Sequence, residues 1–234
     1  MLNLEKSQLC RYYASMQITY YGHSCFKLKG KSGTVVTDPY SEEGVYGISM
    51  PKLSADIVTI SHQHRGHNAI EKIKGAVNRK KPFIIDFPGE YEVGGISVFG
   101  VNTYHDEVNG KERGNNLIFT ILIDGITVCH LGDLAHPLSE EQLKDLAAID
   151  VLFLPVGGPS SLMGDTAVKV AQAISPNYVI PMHYADHAYP QDAPLKRIED
   201  FFQVYGTTAA PEEKLIIEKD RLPEEMQLVV LSRT

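Results

Sequence analysis

Paired cysteines and long apolar runs are both missing from this sequence of 234 residues. Its three cysteines, Cys10, Cys25 and Cys129, are odd in number and show no C-x-x-C spacing, which indicates neither a disulfide framework nor a thiolate zinc site, so we expect a reducing compartment. Residues 1–15 contain no apolar stretch behind a basic start, and no apolar run elsewhere is long enough to cross a bilayer. These absences predict a cytoplasmic protein without a membrane segment.

Positive charge is also scarce. Lysine and arginine number 22 against 29 acidic residues, and the net charge of -7 disfavours binding to nucleic acid or to an anionic membrane. A small-molecule substrate is the expected partner, and the sequence indicates no particular oligomeric state. Apolar residues make up 43% of the chain and charged residues 22%, which is typical of a globular protein. We expect an N-terminal extension over residues 1–15 and a single folded domain over residues 16–234.

Segments rich in β-branched and aromatic residues dominate the first half of the chain. Strands are predicted at QITYYG, SCFKLKG, GTVVTDP, KPFIID, GISVFGVN, NNLIFTILIDG and ITVCHLGD, with an Asp124-Gly125 hairpin turn between the last two. In the second half, buried strands at VLFLPV and NYVIPM alternate with helices predicted at SEEQLKDLAA, DTAVKVAQAIS and APLKRIEDFFQVYG. A further helix is predicted at NAIEKIKG, and late strands at KLIIEK and MQLVVLS. This order favours an α/β fold in which two sheets carry helices on their outer faces.

Histidines cluster directly after the apolar strand DIVTI, at His62, His64 and His67. On an extended backbone His62 and His64 lie on the same side, so this H-x-H pair can bind one metal ion, and a turn at Gly66 brings His67 to a second position. Three further polar residues, His105, Asp133 and His183, lie at or after the ends of other predicted strands, where functional residues of layered α/β folds gather. Each alone is more typical of a structural role, but the set predicts a metal site.

With these motifs the sequence resembles the metallo-β-lactamase superfamily, and within it the branch of ascorbate-6-phosphate lactonase-like hydrolases. The resemblance runs from Gln17 to about Tyr184 and rests on GHSCF, TDP, SHQHRGHN, PGEYEVGG, HDEVNGKERGNN, HLGDLAH, PVGG and IPMHY. It implies a four-layer αββα sandwich with one or two metal ions in the cleft at the sheet edges. Zinc is the expected metal because imidazole dominates the ligand set, with manganese or iron as alternatives.

The resemblance also implies roles for single residues. His62, His64 and His105 would hold the first metal, while His67, Asp133 and His183 would surround the second. Asp133 would bridge the two metals and hold the attacking water, and Asp38 in TDP would accept a hydrogen bond from a ligand imidazole.

One position departs from the family pattern H-x-H-x-D-H. Gly66 stands where that pattern has a carboxylate, so we expect the second metal site to be weak and to have fewer anionic ligands. Arg65 beside it either pairs with an anionic substrate group or points to solvent. His23 and Cys25 in GHSCF are a poor nucleophilic pair, because no cationic partner is present to lower the thiol pKa.

The leading hypothesis is a metal-dependent hydrolase in which a metal-activated water attacks a lactone, a phosphoester or an amide. The alternative from another class is a degenerate metal-binding or interaction protein in which Gly66 records the loss of catalysis. A nuclease is a weaker alternative, because the chain has no room for an added nucleic-acid domain.

Overall fold

The computed structural model describes residues 15–76, 79–146 and 148–234. The predicted N-terminal extension lies outside the described residues except for Ser15, which already pairs with Glu218 at the start of the first strand.

Short strands are the most frequent regular elements of the described chain, as the first half of the sequence predicts. In chain order up to the first helix they are β1 Ser15–Gly22, β2 Cys25–Lys29, β3 Thr34–Thr37, β4 Leu53–Ala55, β5 Ile57–Thr59, β6 Ile73–Gly75, β7 Phe83–Ile85, β8 Gly89–Val93, β9 Ile96–Tyr104, β10 Asn115–Ile123 and β11 Ile126–His130. The later elements are α1 Glu140–Asp145, β12 Val151–Pro155, α2 Gly164–Ile174, β13 Tyr178–Met182, α3 Ile198–Tyr205, β14 Pro211–Glu212, β15 Leu215–Glu218, β16 Gln227–Leu228 and β17 Val230–Leu231.

Two sheets organise these strands. The first has six strands in the order β15-β1-β2-β3-β5-β7, and the second has seven in the order β16-β13-β12-β11-β10-β9-β8. Neighbours β3, β5 and β7 are parallel, as are β11, β12, β13 and β16, while the remaining neighbours are antiparallel. The carboxyl ends of the parallel strands are where the polar motifs of the sequence lie.

The main apolar core lies between the two sheets. Alternate residues of β1, namely Met16, Ile18 and Tyr20, are buried, as a strand with one core face requires. Phe26 of the first sheet stacks on Phe153 of the second, with ring centroids 3.8 Å apart and an interplanar angle of 8°. Apolar side chains from both sheets thus form one contiguous core.

Helices cover the second sheet, where α2 contacts β12 and also packs against α3. Helix α1 begins with a capping box, in which the Ser139 hydroxyl accepts from the Gln142 N–H and the Gln142 side chain accepts from the Ser139 N–H. The other face of the first sheet is covered instead by a second apolar cluster of loop, 3-10 and short-strand residues, including Tyr40, Ile48 and Met50.

The helix predicted at NAIEKIKG is wrong. Residues Ile70–Lys72 form a single 3-10 turn, and Ile73–Gly75 forms strand β6, which pairs in parallel with β4. The apolar spacing of Ile70 and Ile73 suits one tight turn as well as a helix, and pairing with β4 decides the outcome.

Two boundaries also differ from the predictions. Helix α3 begins at Ile198 rather than near Ala193, because Lys196 bonds through its N–H to Gly157 and through its carbonyl to Ala185. The late strand predicted at MQLVVLS is split, because β16 joins β13 in the second sheet while β17 pairs with β14. Within the described ranges, no helix combines the length and the apolar character that a membrane crossing needs.

Candidate metal centre

The three histidines expected to hold the first metal, His62, His64 and His105, lie close together. His62 and His64 follow β5, His105 follows β9, and one ring nitrogen of each lies within 4.8 Å of the others. His105 donates from Nδ1 to the carbonyl of Ser160 at 3.0 Å, which leaves its Nε2 as the free ligand atom. His62 and His105 are buried and His64 is exposed, so the trio is reached from solvent on the His64 side.

Asp133 lies where these imidazoles meet a second group. Its Oδ2 is 3.2 Å from His105 Nε2, 3.1 Å from His183 Nε2 and 3.3 Å from His67 Nε2. Burial alone would raise the pKa of Asp133, but His183 and His67 outweigh burial and hold it well below its ordinary value. The structure therefore places one buried carboxylate anion between two groups of histidines.

Asp38 fixes the orientation of two of these rings. Its carboxylate accepts from the Ser61 N–H at 2.7 Å and from the Ser61 hydroxyl, and His67 donates to it from Nδ1 at 2.8 Å. Because the Ser61 hydroxyl gives its proton to Asp38, it accepts from His62 Nδ1 at 2.9 Å. Both imidazoles thus donate from Nδ1 and direct Nε2 at the centre.

The same carboxylates perturb His67. Burial alone would lower its pKa, but Asp133 and Asp38 outweigh burial and raise the pKa to about 10. Burial, followed by the charge of His67, lowers the pKa of His62 well below its ordinary value.

His23 completes the cluster, although the sequence did not single it out as a ligand. Its Nε2 lies 3.1 Å from His67 Nε2, and its ring centroid lies 4.1 Å from that of His183. Ring nitrogens of His23, His67 and His183 are all within 4.8 Å of one another. The available signal was positional, since His23 directly follows strand β1, just as the other site residues follow theirs.

Backbone strain is concentrated at this centre. Three of its residues have positive φ without being glycine: His23 at 55°, Asp38 at 36° and His183 at 57°. Such conformations persist only where surrounding contacts hold them, and they gather at functional sites. One such contact joins two of these residues directly, because the His183 N–H donates to the His23 carbonyl at 2.7 Å.

Two more residues help to position the predicted ligands Asp133 and His183. Buried Asn116 accepts through Oδ1 from the Asp133 N–H at 2.9 Å and donates to the Leu131 carbonyl at 2.9 Å. Gly158 leaves room for His183, since a Cβ there would lie 2.5 Å from His183 Nδ1. The second glycine of the PVGG motif is therefore required sterically, because a larger residue would collide with the His183 ring.

Three further residues of the sequence motifs, His130, Cys25 and Arg65, are not part of this cluster. His130 is buried and both of its ring nitrogens are bonded, to the Ser24 carbonyl and the Gly132 N–H. The thiol of Cys25 is buried against Met50 Sδ, and burial raises its pKa, so it is no nucleophile. Arg65 makes an exposed ion pair with Glu43 at 2.8 Å.

A pocket of about 330 Å³ opens over the cluster, which is the size of small-molecule sites. Its rim includes Arg113, Tyr46, Pro194 and Leu195. Arg113 makes no ion pair among the described residues. After burial and the charges of other groups, its charge is close enough to the cluster to contribute to the lowered pKa of His64.

The residues present fit a metal ion. The donor set is imidazole nitrogens and one carboxylate, and His62 Nε2 and Asp133 Oδ1 are buried without a hydrogen-bond partner in the described part of the chain. All six predicted ligands come together here: His62, His64, His67, His105, Asp133 and His183.

Comparisons with known proteins agree with this architecture. A family model described as a beta-lactamase superfamily domain matches residues 17–183. A protein of Methanoculleus marisnigri named UPF0173 metal-dependent hydrolase is 33% identical over 187 residues, covering 72% of this chain and 81% of its own.

Solved structures are similar over most of the chain. A Thermotoga maritima structure, described within the metallo-beta-lactamase superfamily, is 35% identical, covers 92% of this chain and 98% of its own, and has a TM-score of 0.71. The metallo hydrolase Igni18 of Ignicoccus hospitalis, at 21% identity and a TM-score of 0.61, shares the fold over 87% of this chain and 99% of its own. The α/β sandwich predicted from the sequence is confirmed, while the narrower lactonase branch stays a prediction. The chain belongs to the metallo-β-lactamase superfamily.

Proposed function

We propose that this protein is a metal-dependent hydrolase, with zinc as its metal, acting on a small-molecule substrate. The observation that carries the proposal is the buried Asp133 carboxylate, which His67, His105 and His183 approach together beneath an open pocket. Relatives named metal-dependent hydrolases support it, and the description of the Thermotoga maritima structure proposes zinc for that protein.

In this proposal His62, His64 and His105 would hold the first metal, and His67, Asp133 and His183 would hold the second. When bound, the metal supplies a Lewis acid that polarises the scissile group and lowers the pKa of the attacking water.

The chain itself supplies orientation and charge. Asp38 and Ser61 hold His62 and His67 in the tautomer that presents Nε2, and Ser160 does the same for His105. Asp133, fixed through its backbone by Asn116, places a carboxylate where it can accept a proton and orient the nucleophile. These groups are set before substrate arrives, which is the preorganisation that electrostatic catalysis requires.

The pocket narrows the substrate class among lactones, phosphoesters and amides. Arg113 at its rim favours a substrate with an anionic group, since a guanidinium pairs well with phosphate or carboxylate. A phosphorylated lactone would combine this group with the scissile bond that the lactonase resemblance implies.

A reducing compartment is part of the same proposal. The thiols of Cys25 and Cys129 are free and buried in separate parts of the core, so they fit a cytoplasmic protein that forms no disulfide between them.

The test is a metal analysis of purified protein, followed by assays of lactones, phosphodiesters and β-lactams with zinc, manganese or iron(II). We expect hydrolysis of at least one class, its loss with a chelator and its return on adding metal. His187→Ala, which removes an exposed histidine four residues after His183, should leave metal content and hydrolysis unchanged. Tight metal binding without hydrolysis of any substrate class would favour the alternative, a degenerate metal-binding protein. The absence of a carboxylate at Gly66 is the observation that supports this alternative.

A further inference from the structure

The space beside Gly66 is filled by another ligand-type group. A Cβ built on Gly66 would lie 2.8 Å from Nε2 of His23. A side chain at position 66 and the His23 ring as observed therefore exclude each other. The position at which the family pattern has a carboxylate is taken, in this chain, by an imidazole from the turn after β1.

We propose that His23 is a ligand of the second metal, binding through Nε2 in place of the carboxylate that Gly66 lacks, together with His67, Asp133 and His183. This inference rests on the metal site of the proposed function and adds to it a residue that the family pattern does not supply.

Distances between the donor atoms support this role. Asp38 keeps the His67 proton on Nδ1, so the atom of His67 that faces His23 is its ligand nitrogen. The two Nε2 atoms are 3.1 Å apart. Two nitrogens bound to one zinc at about 2.0–2.1 Å with tetrahedral angles lie roughly 3.3–3.4 Å apart. The observed pair needs only a small opening to hold an ion.

The backbone of His23 is held as firmly as that of a predicted ligand. Its carbonyl accepts from the His183 N–H at 2.7 Å and from the Tyr20 hydroxyl at 3.0 Å, and its φ of 55° costs conformational energy. His23 Nδ1 is buried and makes no hydrogen bond within the described part of the chain, so no protein partner explains the ring's orientation through that atom. Through Nε2 the ring contacts His67.

The exchange changes the chemistry of the second site. A neutral imidazole replaces an anionic carboxylate, so the site has three nitrogens and one carboxylate, which suits zinc better than a hard oxygen-seeking cation such as magnesium. The second site is therefore altered in charge while its number of protein ligands is kept.

The test measures metal content by elemental analysis and the affinity of each site by competition with a chromophoric chelator. We expect wild type to bind two zinc ions per chain. His23→Asn should weaken the second ion by about 100-fold or more, since it removes a direct ligand, and should leave the first ion bound. Asn tolerates positive φ, so this variant keeps the backbone, and circular dichroism checks its fold. His187→Ala should behave as wild type.

A second set of variants exchanges the imidazole of His23 for a carboxylate at position 66. Gly66→Asp alone must displace His23 and should gain no affinity for the second ion, whereas His23→Ala combined with Gly66→Asp should restore the affinity that His23→Ala loses. With cobalt(II) in place of zinc, His23→Asn should change the visible absorption bands of the second ion, because they report its ligands.

Different failures have different meanings. If wild type binds no metal, the proposed function and this inference both fall. If wild type binds two ions and His23→Asn binds both with unchanged affinity and an unchanged cobalt spectrum, the metal site stands and the role of His23 is wrong. A wild type that binds one ion tightly also contradicts this inference and supports the weak second site expected from Gly66.

Discussion

Asp133 contacts histidines of both groups, so a substitution at this residue should strongly reduce activity. Asp133→Asn keeps the size of the side chain and removes its charge, so a steady-state assay of the metal-loaded enzyme should show kcat/KM lower by about two orders of magnitude or more. A variant that retains the wild-type rate would contradict the role of this carboxylate.

Substitution of His64 should affect metal binding without affecting the stability of the metal-free protein. His64 is the exposed member of its trio, so His64→Ala should change the free energy of unfolding of metal-free protein by no more than about 0.5 kcal/mol. The same change should lower bound metal and activity together, because it removes a ligand of the first ion. Elemental analysis and thermal unfolding of the metal-free and loaded proteins provide both measurements. Full metal occupancy in His64→Ala would show that the first ion has another ligand.

Arg113 should act on substrate affinity rather than on metal. Arg113→Met keeps much of the length and removes the positive charge at the pocket rim. We expect KM for a substrate with an anionic group to rise about tenfold, while kcat and the KM of a neutral analogue change little. Equal effects on charged and neutral substrates would contradict this.

Among the elements, the loop after β9 depends on one carboxylate. Asp106 accepts four backbone N–H bonds: from Val108 and Gly110 through Oδ1, and from Glu112 and Arg113 through Oδ2. Desolvation alone would raise the pKa of Asp106, but the bonds from Arg113, Gly110, Glu112 and Val108 outweigh it and lower the pKa to about 2. This loop links His105 of the metal centre to Arg113 of the pocket.

Because its folded pKa is depressed, Asp106 orders this loop fully above the ordinary Asp pKa of about 4, and the contribution is lost as pH falls towards 2. Asp106→Asn imitates that loss at neutral pH, since an amide NH₂ cannot accept the two bonds that one carboxylate oxygen receives. Hydrogen exchange should be faster at Val108, Gly110, Glu112 and Arg113 in the variant, with β10 unchanged as an internal control. Unaltered protection at these amides would show that other contacts order the loop.

Comparison of the predicted and observed elements shows which parts of the fold the sequence could predict. Strands β9 to β13 and helices α1 and α2 were predictable, because apolar runs and the Ser139 cap are local signals. The failure at Ile70–Gly75 has a long-range cause, since pairing with β4 decided that segment. His23 was missed for the same reason: it lies 44 residues before His67, and no periodicity connects a turn in one motif with a ligand in another.

At the scale of the whole molecule, the candidate metal centre combines residues that follow strands of both sheets. His67 follows β5 of the first sheet, whereas His105, Asp133 and His183 follow strands of the second. An ion bound by both groups stabilises only the folded arrangement, by about 2.7 kcal/mol at a free metal concentration 100 times Kd. Thermal unfolding should therefore occur at lower temperature after chelation and recover with zinc, and the shift should be smaller in Asp133→Asn. An equal midpoint with and without metal would contradict binding between the sheets.

The backbone bond from His183 to His23 sets an order of assembly on the ribosome. The turn at His23 is synthesised early, but its carbonyl can accept the His183 N–H only after the end of β13, far along the chain, has emerged. Until then a nascent chain lacks His183, one of the proposed ligands of the second ion. With the proposed ligands, binding of the second ion would therefore require that residues of both sheets have come together.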